Sequence, residues 1–213
     1  MNLSTADELA DKIRQGEIIE KISLQNISLV GHDLSGGIFR NVDFSGVDFS
    51  QALIKETVFT ECQIEDAVFN AVTLDQSVFE QCNLVRTVFS KSTLTDCVFN
   101  QSALNKTRFT ETTQNNIQFL SGSLQHADFD HNHLNRVTFI DASMDEMKFR
   151  HNHFFLVTFF GRTYVTLISQ PMNLPEPYFL KVTSVVRIIK NNNSTCANSR
   201  IASSSKSISA MQH

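Results

Sequence analysis

A five-residue period dominates this chain. Stepping by five from Leu24 to Phe159 visits 28 positions, and 27 of them are apolar; the exception is Gln114. Within that series every tenth residue is phenylalanine. Phe39 is followed without a break by Phe49, Phe59, Phe69, Phe79, Phe89, Phe99, Phe109, Phe119, Phe129, Phe139, Phe149 and Phe159. With 18 Phe in 213 residues, composition would place about one Phe in those thirteen positions, so the period is not chance. A second ordered position lies two residues before each of these. It reads Val42, Val47, Ala52, Thr57, Cys62, Ala67, Val72, Ser77, Cys82 and onward, all small and at most modestly polar. The other three residues of each five are mostly Asp, Asn, Gln, Glu, Thr, Ser or Lys.

Neither regular element can use this pattern while straight. Five residues turn an α-helix by about 500°, which leaves successive apolar residues about 140° apart. A strand alternates its faces with period two, so an odd step throws alternate Phe to opposite sides. One shared core therefore needs a systematic bend every five residues. The chain has to wind around its own apolar axis, with successive laps pairing like neighbouring strands.

Runs such as DFSGVDFSQALIKETVF and CNLVRTVFSKSTLTDCVF resemble pentapeptide-repeat proteins. The resemblance implies an all-β fold, a right-handed quadrilateral parallel β-helix with four five-mers per lap. Over residues 21–160 that makes about seven coils and a rod of about 34 Å. Folding the series four ways puts Phe49, Phe69, Phe89, Phe109, Phe129 and Phe149 on one wall. Phe39, Phe59, Phe79, Phe99, Phe119, Phe139 and Phe159 stack on the opposite wall, where offset aromatic stacking favours them.

Charge and composition divide the chain into three. Residues 1–20 are acidic, net −3, and read as a short capping helix: Thr5 with Glu8 matches a capping box, Leu9 and Ile13 share a face, and Gly16 is a stop. Residues 21–160 hold the repeat and carry net −6. Residues 161–213 carry net +5 and all three Pro, and lose the period. There Lys181 to Lys190 reads as one strand, residues 161–190 are candidates to cover the last coil, and the Asn/Ser-rich stretch after 190 reads as disordered.

Several residues stand out against this background. Gln114 falls in the core series amid Thr112, Thr113, Asn115 and Asn116, which points to a local bulge or loop. Cys62 and Cys82 lie twenty residues apart in the small position and read as reduced core residues in adjacent coils. His131, His133, His151 and His153 form two His-Asn-His triplets, also twenty apart, with Asn132 and Asn152 inward and the imidazoles outward. The pattern reads as a surface histidine ladder; the four imidazoles are weak candidates for Zn²⁺ or Ni²⁺, with no carboxylate evident beside them. No phosphate loop, nucleophile elbow or HExxH occurs, so neither catalysis nor a cofactor is expected.

The expected function is surface recognition: a non-catalytic protein-protein interaction scaffold, cytoplasmic and bacterial, with a protein partner and with homodimerisation open. No 18-residue apolar run and no secretory leader is seen, so no membrane partner is expected. The net charge of −4 argues against direct nucleic-acid binding. The resemblance adds two alternatives. Some pentapeptide-repeat proteins mimic DNA and bind type II topoisomerases, giving protection from quinolones or toxins. Yet about 34 Å of B-DNA carries about 20 negative charges, against −6 over this repeat, spread over the four walls as −3, 0, −2 and −2 with Lys21 ahead of them. The acidic start running into the repeats also looks like repeat regions attached to type VI secretion accessory proteins, and other members are similar to secreted effectors, so a secretion accessory or effector-associated role is the second alternative.

Overall fold

The structure, a computed structural model, describes Leu3 and residues 5–25, 27–161, 165–169, 180–182 and 186–190. The helix Ala6–Arg14 opens it. Thr5 is its N-cap, and its Oγ1 accepts from the Glu8 N–H at 3.2 Å. At the other end the Gly16 and Glu17 N–H groups donate to the Ile13 and Lys12 carbonyls, with Gly16 at φ +73°. Leu9 and Ile13 are buried and join the same apolar cluster as Ile19, Leu24 and Leu29.

The coil begins inside the segment assigned above to the helix. The strand Ile18–Glu20 already pairs in parallel with Ile38–Arg40, with Ile19 opposite Phe39 and buried. From there to the pairing of Ile140 with Phe160, every ladder joins residues twenty apart. The four walls are three parallel sheets and a fourth face held by isolated bridges. The Phe59 wall is the nine-stranded sheet; opposite it is the five-stranded Phe89 wall. Between them lie the six-stranded Leu94 wall and the bridged face centred on Phe44, Ile64 and Leu84.

The bend that the period demands is a left-handed residue at each corner, two after each central residue. From Lys21 to Leu156, 24 non-glycine corners have φ between +50° and +61°. Gly31, Gly36 and Gly46 fill three others. Left-handed backbone costs about 1–2 kcal/mol for an ordinary residue. The cost is tolerated because each turn returns a large apolar side chain to the axis, worth about 1.5–3 kcal/mol when fully buried.

That axis is aromatic and closed. Phe89 and Phe109 are fully buried and stack at 4.8 Å, 6° from parallel. Their column runs from Phe49–Phe69 at 4.5 Å to Phe129–Phe149 at 5.1 Å. The Phe39–Phe159 column keeps spacings of 4.7 to 5.1 Å. The two columns meet edge-to-face across the core, as Phe109 and Phe119 do at 6.1 Å and 76°.

The small inward position has a purpose beyond size. Its hydroxyl, thiol or amide donates to the carbonyl of a central residue 23 positions earlier. Ser92 donates to Phe69 O at 2.9 Å, Ser102 to Phe79 O at 3.0 Å, and Thr107 to Leu84 O at 2.9 Å. A buried carbonyl needs such a partner.

Past Phe159 the sheet outlasts the sequence period. Leu180–Val182 pairs in parallel with Val157–Phe160 and becomes the ninth strand of the Phe59 wall. The single strand expected over Lys181 to Lys190 is two, Leu180–Val182 and Val186–Lys190, the latter paired with Val165–Ser169. Residues 191–213 lie outside the described residues.

Candidate functional site

With the interior filled, chemistry is left to the outward side chains, and these sort by wall. Each five presents one residue before the central position and two after it. On the Phe59 wall the residue before is Ile38, Val58, Val78 and Val98, all half-buried. The residue after is polar at Arg40, Thr60, Glu80 and Asn100 and becomes apolar further along: Leu120, Ile140 and then Phe160, which is 53% exposed. The Phe89 wall is ionic, with Arg108, Asp128 and Lys148 in register and Asp130 opposite Arg150. The Leu94 wall and bridged face carry side-chain ladders, such as Asn135 donating to Asn115 at 3.2 Å and Asn83 to Gln63 at 3.1 Å.

Four acids, Glu65, Asp66, Asp128 and Asp130, have an arginine partner one coil away. Arg86 forks onto both Asp66 oxygens at 2.7 Å and reaches Glu65 at 2.6 Å. That hydrogen bond holds the Asp66 carboxyl below its ordinary range and raises the guanidinium. Arg150 lies 2.5 Å from Asp128 and 3.6 Å from Asp130.

The histidine triplets stack as the twenty-residue spacing suggests. His131 lies 4.4 Å from His151 and His133 lies 4.7 Å from His153, centroid to centroid. Asn132 and Asn152 point inward and are fixed there. The Asn132 amide donates to Phe109 O at 2.9 Å, and its Oδ1 accepts from Thr112. The Asn152 amide donates to Phe129 O at 2.7 Å, and its Oδ1 accepts from the Asn132 N–H at 2.8 Å.

The expectation of no carboxylate beside the imidazoles is corrected by the structure. Asp130 Oδ1 lies 3.0 Å from His131 Nδ1 and 3.0 Å from His151 Nδ1. The signal was present: Asp130 precedes His131, and the twenty-residue lap sets His151 above it. Burial alone would raise the Asp130 carboxyl, but the hydrogen bond from His151 and the charge of Arg150 outweigh it and hold the group below its ordinary value. His133 and His153 are outside this cluster; among the described residues, Asp130, His131 and His151 are the only grouping of three metal-ligating side chains.

Gln114 sits in no bulge. Thr113–Asn115 is a regular strand, with Gln114 between Leu94 and Leu134 in register and fully buried. The polar neighbours were misleading because Thr113 and Asn115 occupy outward positions, where polarity is normal. The Gln114 amide nitrogen donates to Thr112 Oγ1 at 3.0 Å, while its Oε1 has no partner among the described residues. Cys62 and Cys82 are buried free thiols in adjacent coils, as is Cys97. Contact with the Cys62 sulfur and burial both push the Cys82 thiol up, and burial pushes Cys97 up to about 11.

A family model for the pentapeptide repeat region matches residues 32–109 and 72–149, more than half of the chain. The chain belongs to the pentapeptide-repeat family. Solenoids of this family are non-catalytic structural proteins. Solved structures with the same kind of fold include HetL from the cyanobacterium Nostoc sp. strain PCC 7120, described as involved in heterocyst differentiation regulation. It is 13% identical, covers 86% of this chain and 98% of its own, and has a TM-score of 0.39. QnrB1, a plasmid-mediated fluoroquinolone resistance protein, is 14% identical over 78% of this chain and 89% of its own, with a TM-score of 0.36. A thylakoid-lumen pentapeptide-repeat protein from Arabidopsis thaliana is 24% identical over 46% of this chain and 65% of its own, with a TM-score of 0.27. No curated protein matches the chain. Among the described residues no helix is long and apolar enough to cross a membrane.

Proposed function

We propose that this pentapeptide-repeat chain is an interaction scaffold that recognises another protein through its Phe59 wall. The observation that carries the reading is a run of apolar residues in each of that wall's outward columns, Ile38, Val58, Val78 and Val98 before the central residue and Leu120, Ile140 and Phe160 after it. Interface cores are poor in charge, and a rigid wall loses little entropy when it docks.

The DNA-mimic alternative needs unneutralised acids. The pairing of Asp66 and Glu65 with Arg86, and of Asp128 and Asp130 with Arg150, counts against it at those four acids, and the dilute charge of the repeat supports the scaffold. Gyrase supercoiling is accordingly expected to be unchanged by micromolar protein. A secretion accessory role is a special case of the scaffold, and secretion genes beside this one would favour it.

The test compares walls. Leu120→Glu with Ile140→Glu alters the Phe59 wall, and Arg108→Glu with Lys148→Glu alters the Phe89 wall. Capture of the partner from the native host is expected to be lost in the first pair and kept in the second. If both folded pairs capture it equally, the assignment of the wall is wrong. Sedimentation of the same proteins separates a second copy of this chain from a foreign partner.

A further inference from the structure

We propose that Asp130, His131 and His151 bind one late divalent transition ion, of the Zn²⁺, Co²⁺, Ni²⁺ or Cu²⁺ class, at the corner between the Phe89 and Leu94 walls. Both Nδ1 atoms lie 3.0 Å from the same carboxylate oxygen, and the three ligand atoms are within 4.8 Å of one another. A tetrahedral ion with bonds of about 2.0–2.1 Å needs ligand atoms about 3.3 Å apart. Closing that gap requires the two exposed imidazoles to tilt out of their stack, because each Nδ1 lone pair lies in its ring plane.

The backbone holds the two imidazoles for this. His131 and His151 occupy successive corners of one column, at φ +55° and +53°. The His131 N–H donates to Arg150 O at 3.0 Å. The next residue of each triplet is an asparagine locked into the core, Asn132 on Phe109 O and Asn152 on Phe129 O. The rings are stacked 24° from parallel at 4.4 Å, so the two ligands already lie side by side, and binding turns their planes toward one another. Arg150 competes for the carboxylates, but it lies nearer Asp128, at 2.5 Å, and its contact with Asp130 is to Oδ2 at 3.6 Å. Oδ1, which faces the imidazoles, is left for the ion.

The donor set fixes the class of ion. Two imidazole nitrogens and one carboxylate suit borderline transition metals, whereas Mg²⁺ and Ca²⁺ take oxygen ligands. On binding, each neutral imidazole presents Nδ1 to the metal and carries its proton on Nε2. Water fills the remaining position. The bound ion ties the coil of Phe129 to that of Phe149.

Isothermal titration of the tag-free full chain with ZnCl₂ and NiCl₂ tests this, with MgCl₂ as control. One ion per chain is expected, with no heat from Mg²⁺. Asp130→Asn keeps both stacked histidine pairs but loses the anionic ligand, and is expected to weaken binding at least about tenfold, as is His151→Ala. The double variant His133→Ala with His153→Ala is expected to bind within about twofold of the parent. Visible absorption of the Co²⁺-loaded chain reads coordination geometry independently of heat, and circular dichroism confirms that each variant is folded. No heat and no Co²⁺ band with the parent chain overturn the proposal. So does binding that survives Asp130→Asn, or that vanishes in the His133 and His153 double variant, since either outcome assigns the ion to a simple histidine ladder.

Discussion

Replacing Gln114 with leucine is expected to stabilise the protein, against the usual direction of a core substitution. Gln114 is fully buried, in register with Leu94 below and Leu134 above. Its Oε1 accepts no hydrogen bond from the described residues. An unpartnered buried carbonyl costs about 1–3 kcal/mol. Removing the amide also removes its hydrogen bond to Thr112 Oγ1, worth about 1 kcal/mol. Thr112 is not orphaned, because its hydroxyl still donates to Asn132 Oδ1 at 2.7 Å. Leucine also restores the aliphatic column without adding bulk. The net expected gain is up to about 2 kcal/mol, which for a chain of this size is a rise in Tm of up to roughly 8 °C. Calorimetry and urea unfolding followed by circular dichroism read it directly. Gln114→Ala serves as companion, since it deletes the carbonyl but leaves a cavity, and should fall well below leucine. A lower Tm for Gln114→Leu would mean that the amide oxygen is satisfied in solution, and the argument from the orphaned carbonyl would fail.

Two further outcomes follow from corners and charges. Gln76 sits at a corner with φ +50°; Gln76→Val should destabilise by about 1–2 kcal/mol because a β-branched residue resists left-handed backbone, while Gln76→Gly should be close to neutral. Equal urea midpoints for the two variants would refute the corner argument. Asp33, hydrogen-bonded by Ser35, and Asp66, hydrogen-bonded by Arg86, both titrate below their ordinary value of 3.8. Their folded pKa is depressed, so their contribution is full above the unfolded value and is lost as pH falls through the folded pKa. The urea midpoint should therefore drop below about pH 4, less steeply in Asp66→Asn; a midpoint flat from pH 5 to 2.5 would contradict it.

The sequence alone determined the winding. An odd five-residue apolar period excludes straight helix and straight strand, so a coil around a Phe and Leu axis follows from geometry before any coordinates. The capping helix was equally legible, because Thr5, Glu8, Leu9 and Ile13 act locally. Tertiary structure decided what depends on the neighbouring lap. It made Gln114 a regular strand residue, because a polar side chain cannot break a ladder whose backbone bonds are all kept by the coils above and below. It gave the small position its role, since Ser92 needs the Phe69 carbonyl of the previous coil. It set His151 over Asp130, twenty-one residues apart in the chain and 3.0 Å apart in space. It extended the Phe59 wall with Leu180–Val182, where the period has ended. A strand can join a ladder through backbone hydrogen bonds alone, and those leave no mark on the pattern of side chains.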